Sequence, residues 1–490
     1  MGKKILKKIY LKIEFENQSP LAIGGGLGDL TDQTVLRDSQ GNPYIPGSAL
    51  AGVYRRLFSP DDANLYFGPE RTINSENEED NPDAENNQKM EESQVVTYDA
   101  MAKNTTKIET IIRDMVALDE FKVSKYGAKF DLEAVHPGTM FVTYVEWNVT
   151  DENYENPLDR IASAFQAGEV CIGSKTGRGY GQIKAVSMYY AEFNLQIEKG
   201  IKQWLEFSMY QELHWKKYEE IKQWFSSKVT IRLKLKQVGG IAIRKYSTAK
   251  GEADYEQLTI KKKMEKDGQV VEIPVIPGTS WAGAFRAQIA RFNDAAGNII
   301  DLEKFFGRAK AEATDSQKSR IGFSESQIEG AQELCITRNA IDRFTNATVD
   351  GALYTEKTWY QGNTDLVISL DKESMRAGKR PITQKEQNSF YAMLSAAIAD
   401  LHEGYLSVGG LTAVGRGLFH IECVTIRYEE AQIKASLEEI KRDVLNQCGD
   451  QTEKVNLEKK TGEILYRWFV KKLPEVEGGN GNGAAEKANN

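Results

Sequence analysis

Features that mark several protein classes are missing from this sequence. None of its 490 residues belongs to a run of about 18 apolar residues, so no membrane-spanning helix is predicted. The N-terminal stretch MGKKILKKIYLKIEF alternates lysine with apolar residues instead of forming a signal-peptide core, which predicts a first strand. The four cysteines form no CxxC pair and have no histidine at ligand spacing, which argues against a zinc site or a disulfide framework. We therefore expect a cytoplasmic protein with free thiols.

The net charge of −8 comes from two polar segments. The segment 76–92 has eight acidic residues and one lysine, and the tail 474–490 has three acidic residues and one lysine. Without these segments, which carry −7 and −2, the remaining chain has a net charge of +1. Both segments have the composition of disordered chain. The acidic total therefore does not exclude a basic groove that binds nucleic acid.

An internal repeat is the strongest signal in the sequence. Three signatures occur twice in the same order, at offsets of 231, 223 and 238 residues. They are YIPGSALAGVYRRLF (44–58) with VIPGTSWAGAFRAQI (275–289), VALDEF (116–121) with NAIDRF (339–344), and IGSKTGRGYGQIKAV (172–186) with VGGLTAVGRGLFHIECV (408–424). The chain is therefore predicted to be a tandem duplication.

The repeat sets the predicted domain boundaries. We expect a first domain at 1–199 with an acidic insert near 73–94, a helical linker at 200–227, a second domain at 228–430, C-terminal helices at 431–473 and a disordered tail at 474–490. Each copy alternates period-two strands with helices, which favours an α+β fold in which helices cover one face of an antiparallel sheet. The Pro-Gly turn ends a strand, and the following Ser or Thr is predicted to cap an amphipathic helix.

The order of these motifs resembles that of the RAMP superfamily. The similarity covers roughly residues 5–190 and 228–428, including Phe-Gly pairs at 67–68 and 306–307. Within the superfamily, the chain most resembles the backbone subunits of type III CRISPR–Cas effector complexes, here as a fusion of two such subunits. The resemblance implies two tandem ferredoxin-like (RRM-like) domains, each with an inserted thumb hairpin. Copy one departs from the pattern, since Met115 stands at the position of Arg338 and the acidic insert follows the Phe-Gly pair.

The resemblance also implies a function. Family members bind the CRISPR guide RNA along a filament of subunits, and active members cleave guide-paired, single-stranded target RNA with a divalent metal, here expected to be Mg²⁺. The catalytic aspartate of the family precedes the strand that leads to the Pro-Gly turn. Asp32 and Asp254 are the best matches, as catalytic residues and metal ligands. Asp29 and Asp38 remain alternatives in copy one, and Glu252 and Glu256 remain alternatives in copy two.

Further residues are predicted to contact RNA. Glycine turns allow close approach of backbone amides to phosphate, and nearby arginines and lysines supply charge-assisted donors. The predicted set is Gly24, Gly25, Ser48, Arg55, Arg56, Lys175, Gly177, Arg178, Gly179, Gly239, Gly240, Thr279, Arg286, Arg338, Arg343, Gly415, Arg416 and Gly417.

Two other functions stay open from the sequence. The first is that of a catalytically inactive RNA-binding scaffold of the same complex, and the second is that of a guide-processing endonuclease of the same superfamily. The endonuclease would use histidine in general acid–base catalysis, and no histidine lies near either glycine turn in the sequence.

Overall fold

The chain divides into two compact units, at residues 1–225 and 226–490. The computed structural model describes residues 4–26, 31–69, 92–103, 108–118, 124–219, 226–245, 253–263, 269–308, 317–371, 375, 380–429, 431–448 and 451–474. No helix among these residues is long and apolar enough to cross a membrane.

The first unit has nine strands and four helices within its described residues. They are β1 (Lys7–Asn17), β2 (Tyr44–Ile45), α1 (Gly47–Arg55), α2 (Pro60–Phe67), β3 (Val95–Thr97), β4 (Ala100–Ala102), β5 (Thr110–Leu118), β6 (Ser124–Val135), β7 (Met140–Val149), α3 (Pro157–Gln166), β8 (Ile183–Asn194), α4 (Glu198–Glu206) and β9 (Lys216–Lys217).

The main sheet of this unit has the strand order of a ferredoxin-like domain. The central strand β1 pairs antiparallel with β8 on one side and with β7 on the other, and β3 and β4 pair beyond β7. The helices α1 and α3 follow the first and third strands of this βαββαβ unit. Side chains alternate along β1, so that Leu11, Ile13 and Phe15 enter the main core, which also contains Tyr54 of α1 and Phe165 of α3.

The second unit repeats this arrangement and adds C-terminal elements. Its elements are β10 (Ser226–Val238), β11 (Gly240–Ile241), β12 (Arg244–Lys245), β13 (Tyr255–Gln257), β14 (Thr259–Lys263), β15 (Val270–Ile276), α5 (Gly278–Ala295), α6 (Leu302–Phe306), β16 (Ile321–Phe323), β17 (Ser326–Gln327), β18 (Gln332–Ile341), β19 (Thr348–Tyr360), β20 (Asn363–Asp371), α7 (Gln384–Glu403), β21 (Leu418–Glu429), β22 (Ala431–Ser436), α8 (Leu437–Asn446), α9 (Gln451–Glu458) and α10 (Thr461–Lys472).

The second main sheet has the order β16-β20-β10-β21-β22, which is again ferredoxin-like with one extra edge strand. The helices α5 and α7 supply the two helices of the βαββαβ unit. Trp281 of α5 and Phe390 of α7 are fully buried in one core with Ile231 and Leu233 of β10. The predicted α+β fold with two tandem ferredoxin-like domains is confirmed.

Two predicted segments differ from the structure. Residues Ala431–Ser436, expected to begin a helix, form the strand β22, which pairs antiparallel with β21. The helix α8 starts only after Ser436, whose side chain and that of Glu439 form a capping box. In the segment expected to be a helical linker, α4 ends at Glu206 and the short strand β9 pairs with β8, while residues 220–225 lie outside the described part.

Each unit also has a long hairpin that does not belong to its main sheet. In the first unit β5 pairs with β6, and in the second β18 pairs with β19. Both hairpins are inserted between the second and third strands of the ferredoxin-like core. They occupy the position expected for the thumbs.

Candidate functional site

Asp32 is hydrogen-bonded to the hairpin of the first unit. Its exposed carboxylate accepts a hydrogen bond from the backbone N–H of Asp131 in β6, with a distance of 2.8 Å. The next residue, Gln33, forms a parallel bridge with Leu132 of the same strand. The loop containing Asp32 is therefore an extra edge segment beside β6, and the carboxylate is held at this edge.

Asp254 has the same arrangement in the second unit. Its exposed carboxylate accepts a hydrogen bond of 2.7 Å from the backbone N–H of Thr355 in β19. The backbone N–H of Asp254 in turn donates to the carbonyl of Thr355, at 2.9 Å. The following strand β13 pairs parallel with β19, with Tyr255 opposite Glu356. The two aspartates are thus equivalent by hydrogen bonding as well as by sequence position.

The side chains next to the two aspartates differ. In the first unit Asp114 and Asp131 lie opposite each other in the hairpin. A hydrogen bond with Asp114 raises the pKa of Asp131, and repulsion by the charge of Asp32 raises it further. Lys129 partly balances these charges through an ion pair of 3.1 Å with Asp114. Such a group of carboxylates at one edge has the donor chemistry that a hard divalent cation prefers.

In the second unit two threonines occupy the positions of Asp114 and Asp131. The hydroxyl groups of Thr337 and Thr355 lie 3.0 Å apart and share a hydrogen bond. Asp254 is therefore left without the two neighbouring carboxylates that surround Asp32. This difference makes the two sites chemically unequal.

The alternative acidic residues have other positions. The Asp38 carboxylate accepts hydrogen bonds from the backbone N–H groups of Asn42 and Gln40, both at 2.8 Å, which lowers the pKa of Asp38 and closes a turn. Glu256 lies in β13 opposite Lys245. Asp29 and Glu252 lie outside the described residues.

The two Gly-Arg-Gly motifs are not structurally equivalent. Lys175 begins a 3₁₀ turn in the left-handed conformation (φ 57°), and Leu411 does the same in the second unit (φ 54°). Gly181 and Gly417 both approach a backbone carbonyl so closely that a Cβ atom would lie 1.8 and 1.9 Å from it. Structurally equivalent positions of the two loops are therefore 236 residues apart, whereas the arginines of the two Gly-Arg-Gly motifs are 238 residues apart.

This shift places Arg416 at the position of Tyr180. Only 5% of Arg416 is exposed, and its guanidinium lies 3.2 Å from the carboxylate of Glu356 and donates to the hydroxyl of Tyr360. The same carboxylate forms an ion pair of 3.6 Å with Arg338. Arg416, predicted to contact phosphate, is thus a buried structural residue, because both of its partners belong to the base of the hairpin.

The first unit has an apolar cluster where the second has these charges. Met115, Leu132 and Tyr180 are all buried in it. Their register in the hairpin places Met115 at the position of Arg338 and Leu132 at that of Glu356. A hydrophobic contact in one copy is thus replaced in the other by an ion cluster of two arginines and one glutamate.

Lys175 and Arg178 are the cationic residues of the first loop. The ammonium group of Lys175 lies 4.9 Å from the centre of the Phe130 ring and 3.5 Å from Oε1 of Gln33. Burial, with a smaller contribution from Arg178, lowers the pKa of Lys175. Arg178 is exposed, and its counterpart in the second unit is the exposed Val414.

The predicted glycines are distributed between surface and interior. Gly24, Gly25, Gly239 and Gly415 are exposed, Gly177 is half-buried, and Gly179, Gly240 and Gly417 are buried. A Cβ atom on Gly240 would lie 2.5 Å from the guanidinium of Arg416. This glycine makes room for the buried arginine and does not face solvent.

The helices after the Pro-Gly turns begin two residues earlier than expected. Pro46 and Pro277 occupy the N-cap positions, and neither helix has a side-chain cap. The predicted capping by Ser48 and Thr279 is therefore wrong. Ser48 is exposed and Thr279 is half-buried.

The arginines of these helices have different surroundings. Arg55 donates to the carbonyls of Gly68 and Ala63, at 2.5 and 3.3 Å, and so connects α1 to α2. Arg56 is exposed. Arg286 is exposed and lies 6.0 Å from the centre of the Phe306 ring. Arg56 and Arg286 therefore keep the surface exposure that an RNA contact requires.

The tip of the second hairpin is exposed and partly apolar. Phe344 is 83% exposed, Ile341 and Leu353 are each 65% exposed, and Arg343 is also exposed beside Phe344. The carboxylate of Asp342 accepts hydrogen bonds from the backbone N–H groups of Phe344 and Thr345, which orders the turn. An ordered turn that presents an aromatic ring to solvent is suited to stacking on a base.

Divalent metal binding by protein side chains alone is not supported in the described part of the chain, where no three His, Cys, Asp or Glu residues are grouped to hold an ion. Mg²⁺, however, is commonly held by one or two carboxylates together with substrate phosphates. Asp32 with Asp131, and Asp254 alone, fit such shared binding with RNA.

Sequence reasoning missed Asp114, Asp131 and the role of Tyr180. Asp114 and Asp131 lie opposite each other only because of the hairpin register, and no local motif marks them. The signal for Tyr180 was the Gly-x-Gly spacing: Gly179 and Gly181 align with Gly415 and Gly417, and this pairing predicts the correct offset.

The comparison with protein families agrees with the fold. The family model described as the RAMP superfamily matches residues 14–184 and 257–420, one region in each unit and more than half of the chain. No curated protein sequence matches. Among solved structures, a chain in the cryo-EM structure of the Type III-B Cmr-beta bound to cognate target RNA is 19% identical with a TM-score of 0.28, over 38% of this chain and 61% of that chain. The similarity thus spans less than two thirds of that chain.

Proposed function

Since the chain belongs to the RAMP superfamily, we propose that it is an RNA-binding subunit of a type III CRISPR effector complex with two centres for target RNA cleavage. In this proposal both units bind the guide RNA, and the target RNA pairs with the guide. Asp32 and Asp254 each act in the cleavage of one bond of the target. Other subunits of the complex complete the filament.

The equivalent attachment of the two aspartates carries this proposal. Each carboxylate is exposed and accepts a hydrogen bond from the second strand of the hairpin, through Asp131 at 2.8 Å and Thr355 at 2.7 Å. A solvated loop acid has no reason to be held at the same place in both copies. The attachment fixes each carboxylate to the hairpin that the family resemblance identifies as the thumb.

The chemistry required from the protein is modest. The 2′-oxygen of the target ribose attacks the neighbouring phosphorus and the bond from phosphorus to the 5′-oxygen breaks, which leaves a 2′,3′-cyclic phosphate and a 5′-hydroxyl. The proton lost by the 2′-hydroxyl is balanced by one gained by the 5′-oxygen. The protein must mainly hold the nucleotide in line for this attack. A bound Mg²⁺ would stabilise the charge that develops on the phosphate.

Exposed cationic residues support RNA binding despite the acidic total charge. Arg56, Arg178, Arg286 and Arg343 all reach solvent. Each phosphate contact of this kind strengthens binding electrostatically and independently of sequence. Target selection would then depend on base pairing with the guide.

A catalytically inactive scaffold is the second candidate. The observation that favours it is that the hairpin beside Asp254 has Thr337 and Thr355 at the positions where the first unit has Asp114 and Asp131. One or both centres are then binding surfaces without cleavage.

The deciding experiment uses the complex reconstituted with guide RNA, an end-labelled complementary target and Mg²⁺. Wild type is compared with Asp32→Asn, Asp254→Asn and the double variant, since asparagine keeps the size of the side chain but removes its charge. Two cuts in the wild type are expected, with one lost in each single variant and both lost in the double variant. Unchanged cutting in all variants with target still bound would support the scaffold.

A further inference from the structure

The second main sheet has a cationic outer face, on the side opposite its helices. Successive side chains of the central strand β10 alternate between the core and this outer face, where Arg232, Lys234 and Lys236 are all exposed. The strands β21 and β22 add the exposed Arg427 and Lys434, which the pairing register places on the same side. These five residues are called the basic sheet face below.

Carboxylates balance these charges only in part. Asp365 and Asp371 of β20 point to the same side as β10's cations, and Glu422 is exposed at the β-bulge of β21. Asp365 lies 3.4 Å from Arg232, and both side chains stay accessible, at 41% and 55%. With the half-buried Lys228 the face has six cations and three carboxylates, which gives a net charge of +3.

The corresponding face of the first unit has carboxylates where β10 has lysines. A β-bulge directly follows Glu14 in β1 and Lys234 in β10, so these two residues correspond to each other. Two positions later Glu16 corresponds to Lys236. The sign of the charge is therefore reversed at both positions between the two copies.

The first unit also covers this face with the segment that follows β8. Tyr10 and Ala191 are buried there in a cluster that includes Trp204 of α4. By the same register their counterparts in the second unit are Thr230 and the exposed Arg427. After β21 the chain instead forms the edge strand β22 and then α8, which packs into the core on the other side. The basic sheet face is therefore accessible in the described part of the second unit.

The arrangement of the charges indicates the kind of partner. Alternate residues of a strand are about 6.6 Å apart, so the cations of β10 form a row with a spacing close to that of successive phosphates in an extended nucleic acid strand. The face has no Phe, Tyr or Trp in its described strands, so bases have no such ring on which to stack. A regular row of this kind fits a repeating polyanion better than the irregular charges of a folded protein.

We propose that the basic sheet face of the second unit binds an unpaired segment of single-stranded RNA through its phosphates alone. This site shares no residue with Asp32, Asp254 or the two hairpins. Binding through phosphates is independent of sequence and strongly salt-dependent. The surface thus holds RNA that is not paired with the guide, and it does so in only one of the two copies.

The test uses the full-length protein in the complex with its guide RNA already paired to a target. The probe is a fluorescent oligouridine of about 15 nucleotides that cannot pair with the guide, and its binding is followed by fluorescence anisotropy. The triple variant Arg232→Gln, Lys234→Gln and Lys236→Gln should bind the probe about tenfold more weakly or less. The slope of log affinity against log salt should fall by about 2, because each phosphate contact of a single strand contributes about 0.7.

Two further variants separate the site from a general effect of charge. The matched control Lys385→Gln, Lys459→Gln and Lys471→Gln removes three exposed lysines elsewhere in the same unit and should bind the probe like the wild type. The double variant Lys234→Glu and Lys236→Glu copies the charges of the first unit and should weaken binding further. All these side chains are exposed or paired only at the surface, so the melting temperatures should not change.

Unchanged probe binding by the triple variant would show that the proposal is wrong. Loss of another subunit from the purified complex of this variant, with probe binding unchanged, would identify the face as an interface with an acidic protein and would equally overturn it. Cleavage of a fully paired target should be the same in all these variants. Neither result therefore bears on the function proposed for Asp32 and Asp254, which their own variants test.

Discussion

The backbone amide of Thr355 donates a hydrogen bond to the carboxylate of Asp254, as that of Asp131 does to the carboxylate of Asp32. In both pairs the donor belongs to a strand of the hairpin and the acceptor to a loop about 100 residues earlier in the chain. The position of each aspartate is therefore coupled to the position of its hairpin.

This coupling can be tested by removing a single amide. Thr355→Pro eliminates the N–H that holds Asp254, whereas Thr355→Ala keeps it and removes only the hydroxyl. We expect the proline variant to lose most of the second cut and the alanine variant to retain it, as measured with an end-labelled target. The first cut serves as the internal reference. Equal second cuts in the two variants would show that the hydrogen bond does not position Asp254.

The ion cluster at the base of the second hairpin predicts a strongly non-additive set of variants. Arg416→Tyr alone leaves the buried Glu356 short of a partner and should destabilise the second unit by about 3–5 kcal/mol. The triple variant Arg338→Met, Glu356→Leu and Arg416→Tyr copies the apolar cluster of the first unit and should recover most of this loss, because replacing a whole buried ion cluster by apolar residues is often neutral.

Denaturant unfolding of the protein measures both variants. Arg178→Met is the control, since this exposed arginine matches Arg416 in the sequence motif but not in the fold. Its loss should leave the stability unchanged and weaken guide RNA binding. A single variant as stable as the wild type would contradict the role assigned to Arg416.

His402 predicts a loss of stability in mild acid. Burial, and then the neighbouring His420, lower the pKa of His402, whose Nδ1 accepts a hydrogen bond of 3.0 Å from the backbone N–H of Ile421. The unfolded chain binds a proton near the ordinary pKa of about 6.5, and the folded chain binds it only at lower pH. This contribution is therefore fully present above pH about 6.5 and is lost as the pH falls toward the folded pKa.

The measurement compares melting temperatures at neutral and mildly acidic pH. His402→Asn keeps an acceptor for the Ile421 amide but does not titrate in this range, so its melting temperature should fall less with pH than that of the wild type. Identical pH dependence in the two proteins would show that His402 does not contribute.

The exposed ring of Phe344 should act on RNA and not on folding. Because 83% of this residue is exposed, Phe344→Ser should leave the melting temperature unchanged. In the reconstituted complex the ring is expected to stack in the place of a displaced target base. A 2-aminopurine at the displaced position, opposite the second hairpin, should therefore fluoresce strongly with the wild type, as an unstacked base does, and weakly with the variant. Tyr126→Ser, at an exposed residue of the first hairpin, should affect a different target position.

Several features could be predicted from sequence because their signals are local. The Phe-Gly pairs at 67–68 and 306–307 each end a helix, and their glycines Gly68 and Gly307 have φ angles of 78° and 79°. The same dipeptide thus has nearly the same conformation in the two copies. The repeat likewise predicted two domains of one fold, and the resemblance to the RAMP superfamily pointed to Asp32 and Asp254. The prediction of a helix at 431–436 was wrong, because pairing with β21 overrides the helical propensity of these residues.

By itself the sequence determined the duplication and an α+β fold in each copy, since turns, strand alternation and helix starts are encoded within a few neighbouring residues. The ferredoxin-like core and the two loop aspartates were implied by the resemblance to the RAMP superfamily. Tertiary structure alone decided that Arg416 is buried at the position of Tyr180, and that Asp131 and Lys175 lie near Asp32 on opposite faces of a strand. These contacts join segments far apart in the chain. They depend on the register of the hairpin against its neighbours, and a shift of one residue would exchange the two faces.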